Sequence, residues 1–235
     1  MPLISRHGLL AKILVITLVA ALELFKATPS FSTEGRDILW SIVSGCMNTG
    51  AADYCTSCVS PREEAGCGHS CRNSTQVWAE SREFVAIRDR KMCSCPTGFV
   101  HGLALPRVRL TGVEDPARPD GIWEFAWDAA ARRIPEREIA LAVNPWGKRS
   151  QDQLHVHIVR LRSGSRLADP SRTARVDALG KVWATAAAKA AALGWRDYGV
   201  LVTRGTGEGY LVIVDDDSPE YDYTQATCLN DAHPP

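Results

Sequence analysis

The sequence predicts an α+β domain, an antiparallel sheet with helices packed on it. Two pairs of β-branched runs flank turn formers. Residues 139–143 and 154–161 surround Pro145 and Gly147, and residues 198–203 and 210–214 surround Arg-Gly-Thr-Gly-Glu-Gly. Two further segments carry apolar residues at helical spacing: Trp123, Trp127, Ala130, Ile134, and Val176, Leu179, Val182, Trp183. The composition is ordinary for a globular protein, without a solenoid-length repeat.

The 235 residues suffice for one well-buried domain or two small ones. Lys+Arg and Asp+Glu balance at 27 each, so no surplus attracts a polyanion and nucleic acid is not expected as a partner.

The chain opens with Arg6, His7 and Lys12 ahead of residues 13–22, which carry no charge. A basic stretch before an apolar run reads as an export signal. The run is short against the ~20 residues of a spanning helix. Extending it over residues 9–25 brings in Lys12 and Glu23. A cleaved signal peptide and an uncleaved N-terminal hydrophobic helix both remain open. In the anchored case the basic flank keeps the N-terminus inside and the body across the membrane. The chain divides into an export segment (1–30), a helix with a cysteine-rich segment (31–82) and a main domain (83–235).

Ser32-Thr33-Glu34 precedes Ile38, Leu39, Ile42 and Val43, the pattern of a capped amphipathic helix of about three turns. Residues 46–75 are rich in Gly, Ser, Asn and Cys and lack an apolar period, a stapled loop. The eight cysteines are Cys46, Cys55, Cys58, Cys67, Cys71, Cys93, Cys95 and Cys228. In an exported chain a clustered, even count implies disulfides, though not their pairing. Zinc at Cys55, Cys58, Cys67, His69 and Cys71 is the rival. Cys93 and Cys95 are too close to pair with each other without strain.

Residues 83–88 and 99–105 read as strands. His101, in the second, is read as structural. Pro106 to Pro119 is a loop, and Asp120 is expected to cap a helix over residues 121–133 whose tryptophans face the core. Residues 173–193 read as an Ala-rich helix ended by Gly194. Asp215-Asp216-Asp217 reads as a solvated turn. The tail from Ser218 is polar, tied back through Cys228.

In the run from 154 to 161, alternation puts Gln153, His155, His157 and Val159 on one face and Leu154, Val156 and Ile158 on the other. The two imidazoles stand roughly 7 Å apart along the strand. Arg149, Arg160 and Arg162 lie near in sequence. Imidazole can attack phosphorus and guanidinium can stabilise the charge that spreads over it. An exposed face or a generic metal pair would give the same spacing.

Residues 144–158, NPWGKRSQDQLHVHI, resemble the signature of the histidine-triad superfamily, His-φ-His-φ-His-φ-φ with an upstream Asn. The likeness is to its CDP-diacylglycerol pyrophosphatase branch. The hydrophobic N-terminus, the cysteine segment, HGLALP from His101, IWEFAW from Ile122, and YGVLV from Tyr198 with Cys228 follow in that branch's order, over most of residues 34–230. Gln153 stands where the first His is expected.

The resemblance implies a histidine-triad-like antiparallel sheet with packed helices and added C-terminal elements. It implies hydrolysis of CDP-diacylglycerol to CMP and phosphatidate through a covalent nucleotidyl-histidine on His155. His157 would bond phosphate or leaving oxygens, and Asn144, Arg149, Ser150, Gln151 and Gln153 would orient or bind substrate. It implies no cofactor, no metal, a membrane-held lipid substrate, and a single inner-membrane anchor with the domain on the periplasmic side, an exported soluble form being the alternative. A homodimer is left open. A catalytically inactive exported binding module, and action on another nucleotide, are the competing readings.

Overall fold

The hairpin around the two histidines forms as its alternation requires. In the computed structural model β4 (Ile139–Val143) and β5 (Val156–Arg160) pair antiparallel, with Ile139 opposite Arg160 and Ala142 opposite His157. The structure describes residues 35–46, 76–92, 95–165, 167, 169–204 and 207–228. The apolar run at 13–22, the cap at Ser32–Glu34, and the disulfide-or-zinc question at Cys55, Cys58, Cys67, Cys71 and Cys93 lie outside these residues. Among the described residues no helix is long and apolar enough to cross a membrane.

Six more strands extend the hairpin: β1 (Val77–Glu80), β2 (Phe84–Arg88), β3 (His101–Pro106), β6 (Thr173–Val176), β7 (Gly199–Thr203) and β8 (Tyr210–Asp215). The order is β1-β2-β3-β5-β4-β7-β8-β6, and every pairing is antiparallel. The α+β class stands.

The two faces of the sheet bury different things. One face presents Leu141, Val156, Ile158, Val200 and Val212 to two helices, α2 (Gly121–Ala131) and α3 (Val182–Ala192). Trp123 and Trp183 meet there with ring centroids 4.7 Å apart. Burying a side chain of this size contributes about 1.5–3 kcal/mol, so this layer holds most of the fold's apolar stabilisation. On the other face, Leu39 and Val43 cover Val85, Ile87, Leu103 and Leu105, while Ala140, Ala142, Val159 and Leu201 form a second cluster. Between these clusters the same face carries the histidines.

Four sequence readings are corrected. The N-terminal helix is one short α-helical piece, α1 (Ile38–Ser41), running into a π turn, Ile42–Cys46. Residues 173–193 are not one helix: Thr173–Val176 is the edge strand paired with β8, and α3 starts only at Val182 after a 3-10 turn, Leu179–Lys181. Alanine propensity governs the stretch after Gly180, whereas the edge of β8 offers its unpaired backbone to the β-branched segment. The helix does end at Gly194, at φ 75°. Asp120 makes no side-chain cap, because its own backbone is already helical (φ −64°, ψ −35°). Asp215 is not in a solvated turn: it is 3% exposed and accepts from Tyr223 Oη at 2.6 Å and Arg172 Nη1 at 3.2 Å.

The tail after Ser218 folds back as α4 (Pro219–Tyr223). Its return is held by Arg162 N to Tyr223 O (2.8 Å), Gln225 N to Arg160 O (2.9 Å) and a disulfide between Cys228 and Cys95, Cα atoms 5.7 Å apart.

Candidate active site

Strand alternation builds the site. Leu154, Val156 and Ile158 point into the helix-covered layer, which turns His155 and His157 to the opposite face. β3 pairs with β5 so that His101 lies opposite Val159 and Leu103 opposite His157, bringing a third imidazole to the same face. The rings form a row, edge to face, with centroids 4.8 Å apart for His155 and His157 and 5.4 Å for His157 and His101.

His155 stands one residue before β5, with its Nδ1 2.7 Å from the main-chain carbonyl of Gln153. A carbonyl oxygen only accepts, so Nδ1 carries the proton and Nε2 presents a lone pair. The residue keeps 7% exposure, and Nε2 is neither hydrogen-bonded nor sealed off among the described residues. Burial lowers the His155 pKa below the ordinary range, against the pull of the Gln153 carbonyl.

His157 is more deeply set. Neither ring nitrogen makes a hydrogen bond, and Nε2 lies 3.3 Å from Glu220 Oε2, within ion-pair range but off the line a hydrogen bond needs. Burial holds its pKa well below that of a free histidine, with the Glu220 charge opposing.

Glu220, on α4, is 1% exposed and gathers donors from three elements. Lys91 Nζ reaches it at 2.5 Å, Asn144 Nδ2 at 2.8 Å and His101 Nε2 at 3.0 Å. Burial would raise its pKa, but His157, His101 and Lys91 hold the carboxyl far below the usual range. The other nitrogen of His101, Nδ1, lies 3.1 Å from Asp89 Oδ2. Burial disfavours charge on His101, yet the Asp89 carboxylate beside Nδ1 and the hydrogen bond to Glu220 outweigh it and raise its pKa. Against its own burial, the His101 ring beside it brings Asp89 down to about 2. The carboxylates of Asp89 and Glu220 thus alternate with His101 and the Lys91 ammonium, so that each buried carboxylate meets a group able to carry the opposite charge, as buried ions require.

Asp89, His101 and His157 each offer a donor atom, all within 4.8 Å of one another. Both nitrogens of His101 already face carboxylates. The set fits a proton-carrying imidazole better than a metal ligand sphere.

The other expected residues divide. Asn144, 4% exposed, joins the cluster: it donates to Glu220 and accepts from Ser218 Oγ at 2.9 Å and Glu220 N at 3.3 Å, so it docks the tail helix. Gln153 is 2% exposed and clamps the loop after β3, donating to Pro106 O (3.1 Å) and Val108 O (2.9 Å) and accepting from Leu110 N (3.3 Å). Gln151 accepts from Leu39 N (3.0 Å) and donates to Gly35 O (2.7 Å). Arg149 is buried and forks onto Glu114, with Nη1 2.8 Å from Oε2. Ser150 is exposed.

His101, Asp89, Lys91 and Glu220 escaped the sequence reading, which treated His101 as structural only. His101 carried a signal, an imidazole inside an apolar strand; Glu220 carried none, being one carboxylate in a polar tail.

The family model described as CDP-diacylglycerol pyrophosphatase matches residues 34–189, well over half of the chain. The chain belongs to the CDP-diacylglycerol pyrophosphatase family. A relative named "Probable CDP-diacylglycerol pyrophosphatase" in Mycobacterium leprae (strain TN) is 35% identical over 147 residues, 55% of this chain and 44% of the relative. The "CDP-diacylglycerol pyrophosphatase" of Mycobacterium bovis (strain BCG / Pasteur 1173P2) and that of Mycobacterium tuberculosis (strain ATCC 25177 / H37Ra) are each 40% identical over 67 residues, 24% of this chain and 26% of theirs. The chain spans between about a quarter and under half of the length of the curated relatives it matches. The pyrophosphatase family match takes in Asp89, Lys91, His101, Asn144, His155 and His157 and ends well before Glu220.

Proposed function

We propose that the chain hydrolyses the phosphoanhydride of CDP-diacylglycerol, giving CMP and phosphatidate. The observation that carries this reading is the Nδ1–H of His155 on the Gln153 carbonyl, which leaves Nε2 unprotonated and open. Nε2 attacks the phosphorus of the cytidylyl group. A P–N bond forms, the anhydride P–O bond breaks, and phosphatidate leaves with the bonding electrons. Water then attacks the same phosphorus and passes a proton to His157, the P–N bond breaks, and CMP departs as His155 regains its lone pair. Splitting one displacement into two is the general benefit of a covalent route. His157, whose ring touches that of His155, is the nearest proton carrier to the reacting oxygens. Ser150, exposed at the head of the strand, offers a hydroxyl to the phosphates, while the Arg149 charge, offset by Glu114, acts on them at a distance.

The family match and the His155, His157 strand support a histidine-triad-like reading of the sheet. The basic flank and apolar run at 13–22 support an inner-membrane anchor that holds the domain, on the periplasmic side, beside a lipid substrate.

The test is incubation with CDP-diacylglycerol labelled in the cytosine, reading free CMP and protein-bound label. Wild type releases CMP and traps a nucleotidyl adduct; His155→Ala does neither while keeping its fold. Full turnover in His155→Ala refutes the assignment. A chelator leaves the wild-type rate unchanged if, as this reading holds, the cationic groups serve without a metal ion.

A further inference from the structure

We propose that Glu220 is a positioning residue for this hydrolysis: its carboxylate orients the His157 ring and holds the imidazolium that forms there when water attacks the nucleotidyl-histidine and gives up a proton. The inference rests on the hydrolase reading and extends it to a part of the chain outside the family match, which ends at residue 189.

A carboxylate excluded from water is costly unless donors surround it. Glu220 has three: Lys91, Asn144 and His101, each within 3.0 Å. What the arrangement achieves is to place a permanent negative charge beside His157 Nε2, 3.3 Å away. His157 itself has two buried, unbonded ring nitrogens. An imidazole without any hydrogen bond is an unfinished constellation, and catalytic hydrogen bonds commonly tighten only when substrate arrives. As water attacks the phosphorus of the nucleotidyl-histidine, the proton it loses moves onto the ring and is stabilised by Glu220 on one side and by the phosphate on the other.

The remaining groups facing His157 oppose or balance that step. His155 precedes it on the strand, His101 faces it from β3, Lys91 from the turn after β2, and Asp89 lies behind His101. Lys91, and His101 when protonated, would repel an imidazolium; Glu220 contacts both while facing the ring, and Asp89 adds a second negative charge behind His101. Its backbone is not free to swing away. Glu220 N donates to Asn144 Oδ1, its carbonyl accepts from Thr224 Oγ1, and the tail beyond is tied by the disulfide.

The experiment compares wild type, Glu220→Gln and Glu220→Asp in the full chain, by steady-state hydrolysis across pH and by NMR titration of the His157 ring. Gln keeps the shape and removes the charge. The expected result is a fall in kcat of about 10²-fold, the usual scale of a positioned acid–base group, with KM changed less than about threefold. The kcat–pH profile shifts, and Asp restores part of the rate. The NMR titration of His157 moves to lower pH in the Gln variant. An unchanged His157 titration, or an unchanged kcat–pH profile in an active Gln variant, overturns the proposal. If Gln does not fold, the Asp profile and titration decide by the same criteria. A wild type that releases no CMP would fail the hydrolase reading instead, and the titration would still judge the Glu220–His157 coupling.

Discussion

The imidazole of His155 and the main-chain carbonyl of Gln153 are joined at 2.7 Å through Nδ1. The position where a histidine-triad sequence is expected to carry its first histidine therefore contributes here through its backbone. That explains how a glutamine can stand there without disturbing the tautomer of the next histidine. Its side chain holds the loop from Pro106 to Leu110.

Gln153→Ala should thus damage stability more than chemistry. The buried Leu110 N–H and two carbonyls lose their partner, at a cost of about 1–3 kcal/mol for a buried unsatisfied group. Thermal unfolding should show that loss, while kcat per folded molecule stays within about threefold, since the carbonyl remains. Gln153→His should not raise the rate. A gain on introducing that histidine would mean the side chain, not the backbone, is the active part.

The acid limb of kcat/KM should lie below pH 6.5, the ordinary value for a histidine. Burial lowers the His155 pKa, so the attacking nitrogen stays unprotonated to a more acidic pH than a free imidazole would. A pH–rate profile on the free enzyme checks this. An acid limb centred above 6.5 would count against His155 as nucleophile.

Asp89 should shape acid stability. Its pKa is lowered to about 2 from the ordinary 3.8, so the folded form binds fewer protons than the unfolded chain in that interval. Its contribution, about 2 kcal/mol, is fully present above pH 3.8 and is lost as pH falls toward 2. Denaturant melts at pH 5, 4, 3 and 2 should show a steeper decline for wild type than for Asp89→Asn. Equal slopes would show that the pairing with His101 has no such effect.

Removing the Cys95–Cys228 bond should affect both stability and rate. The closed loop spans 133 residues, and loss of a native disulfide of this kind typically costs about 2–5 kcal/mol. Because the tail beyond α4 then keeps its main-chain hydrogen bonds to residues 160–161 but not its covalent tie, Cys95→Ser with Cys228→Ser should also lower kcat. A double variant as active as the disulfide-bonded wild type would place the tail's anchorage in its hydrogen bonds alone.

Gly199 lies directly under α4. A Cβ there would fall 2.5 Å from Pro219 Cδ and 2.8 Å from the Val143 carbonyl, so the helix or the strand must shift. Gly199→Ala is expected to cost about 1–3 kcal/mol as an overpacking change and to reduce kcat by displacing Glu220. Unfolding and turnover measured on the same preparation would check it; lost stability with full kcat would separate the packing from the chemistry.

Much of this was legible in residue order. The period-two runs around Pro145 and around the glycine turn became β4–β5 and β7–β8, and the tryptophan spacing became the buried side of α2. The face shared by His155 and His157 followed from alternation alone. The misreadings have a common source. Residues 173–176 looked helical because alanines follow them, but their state depended on a free strand edge supplied by β8. His101 looked structural because nothing local shows which strand lies beside it.

From residue order alone came the class of the domain, its hairpins, the direction in which two histidines point, and the likeness that led to its family. Those are local properties, set by the period of a strand or helix and by turn chemistry within a few residues. Tertiary structure alone decided that His101, Asp89, Lys91 and Glu220 meet around His157. Lys91 and Glu220 alone stand 129 positions apart, and the four carry no shared period. What unites them is a buried charge that needs partners, and that need is met only when the tail folds back across the sheet.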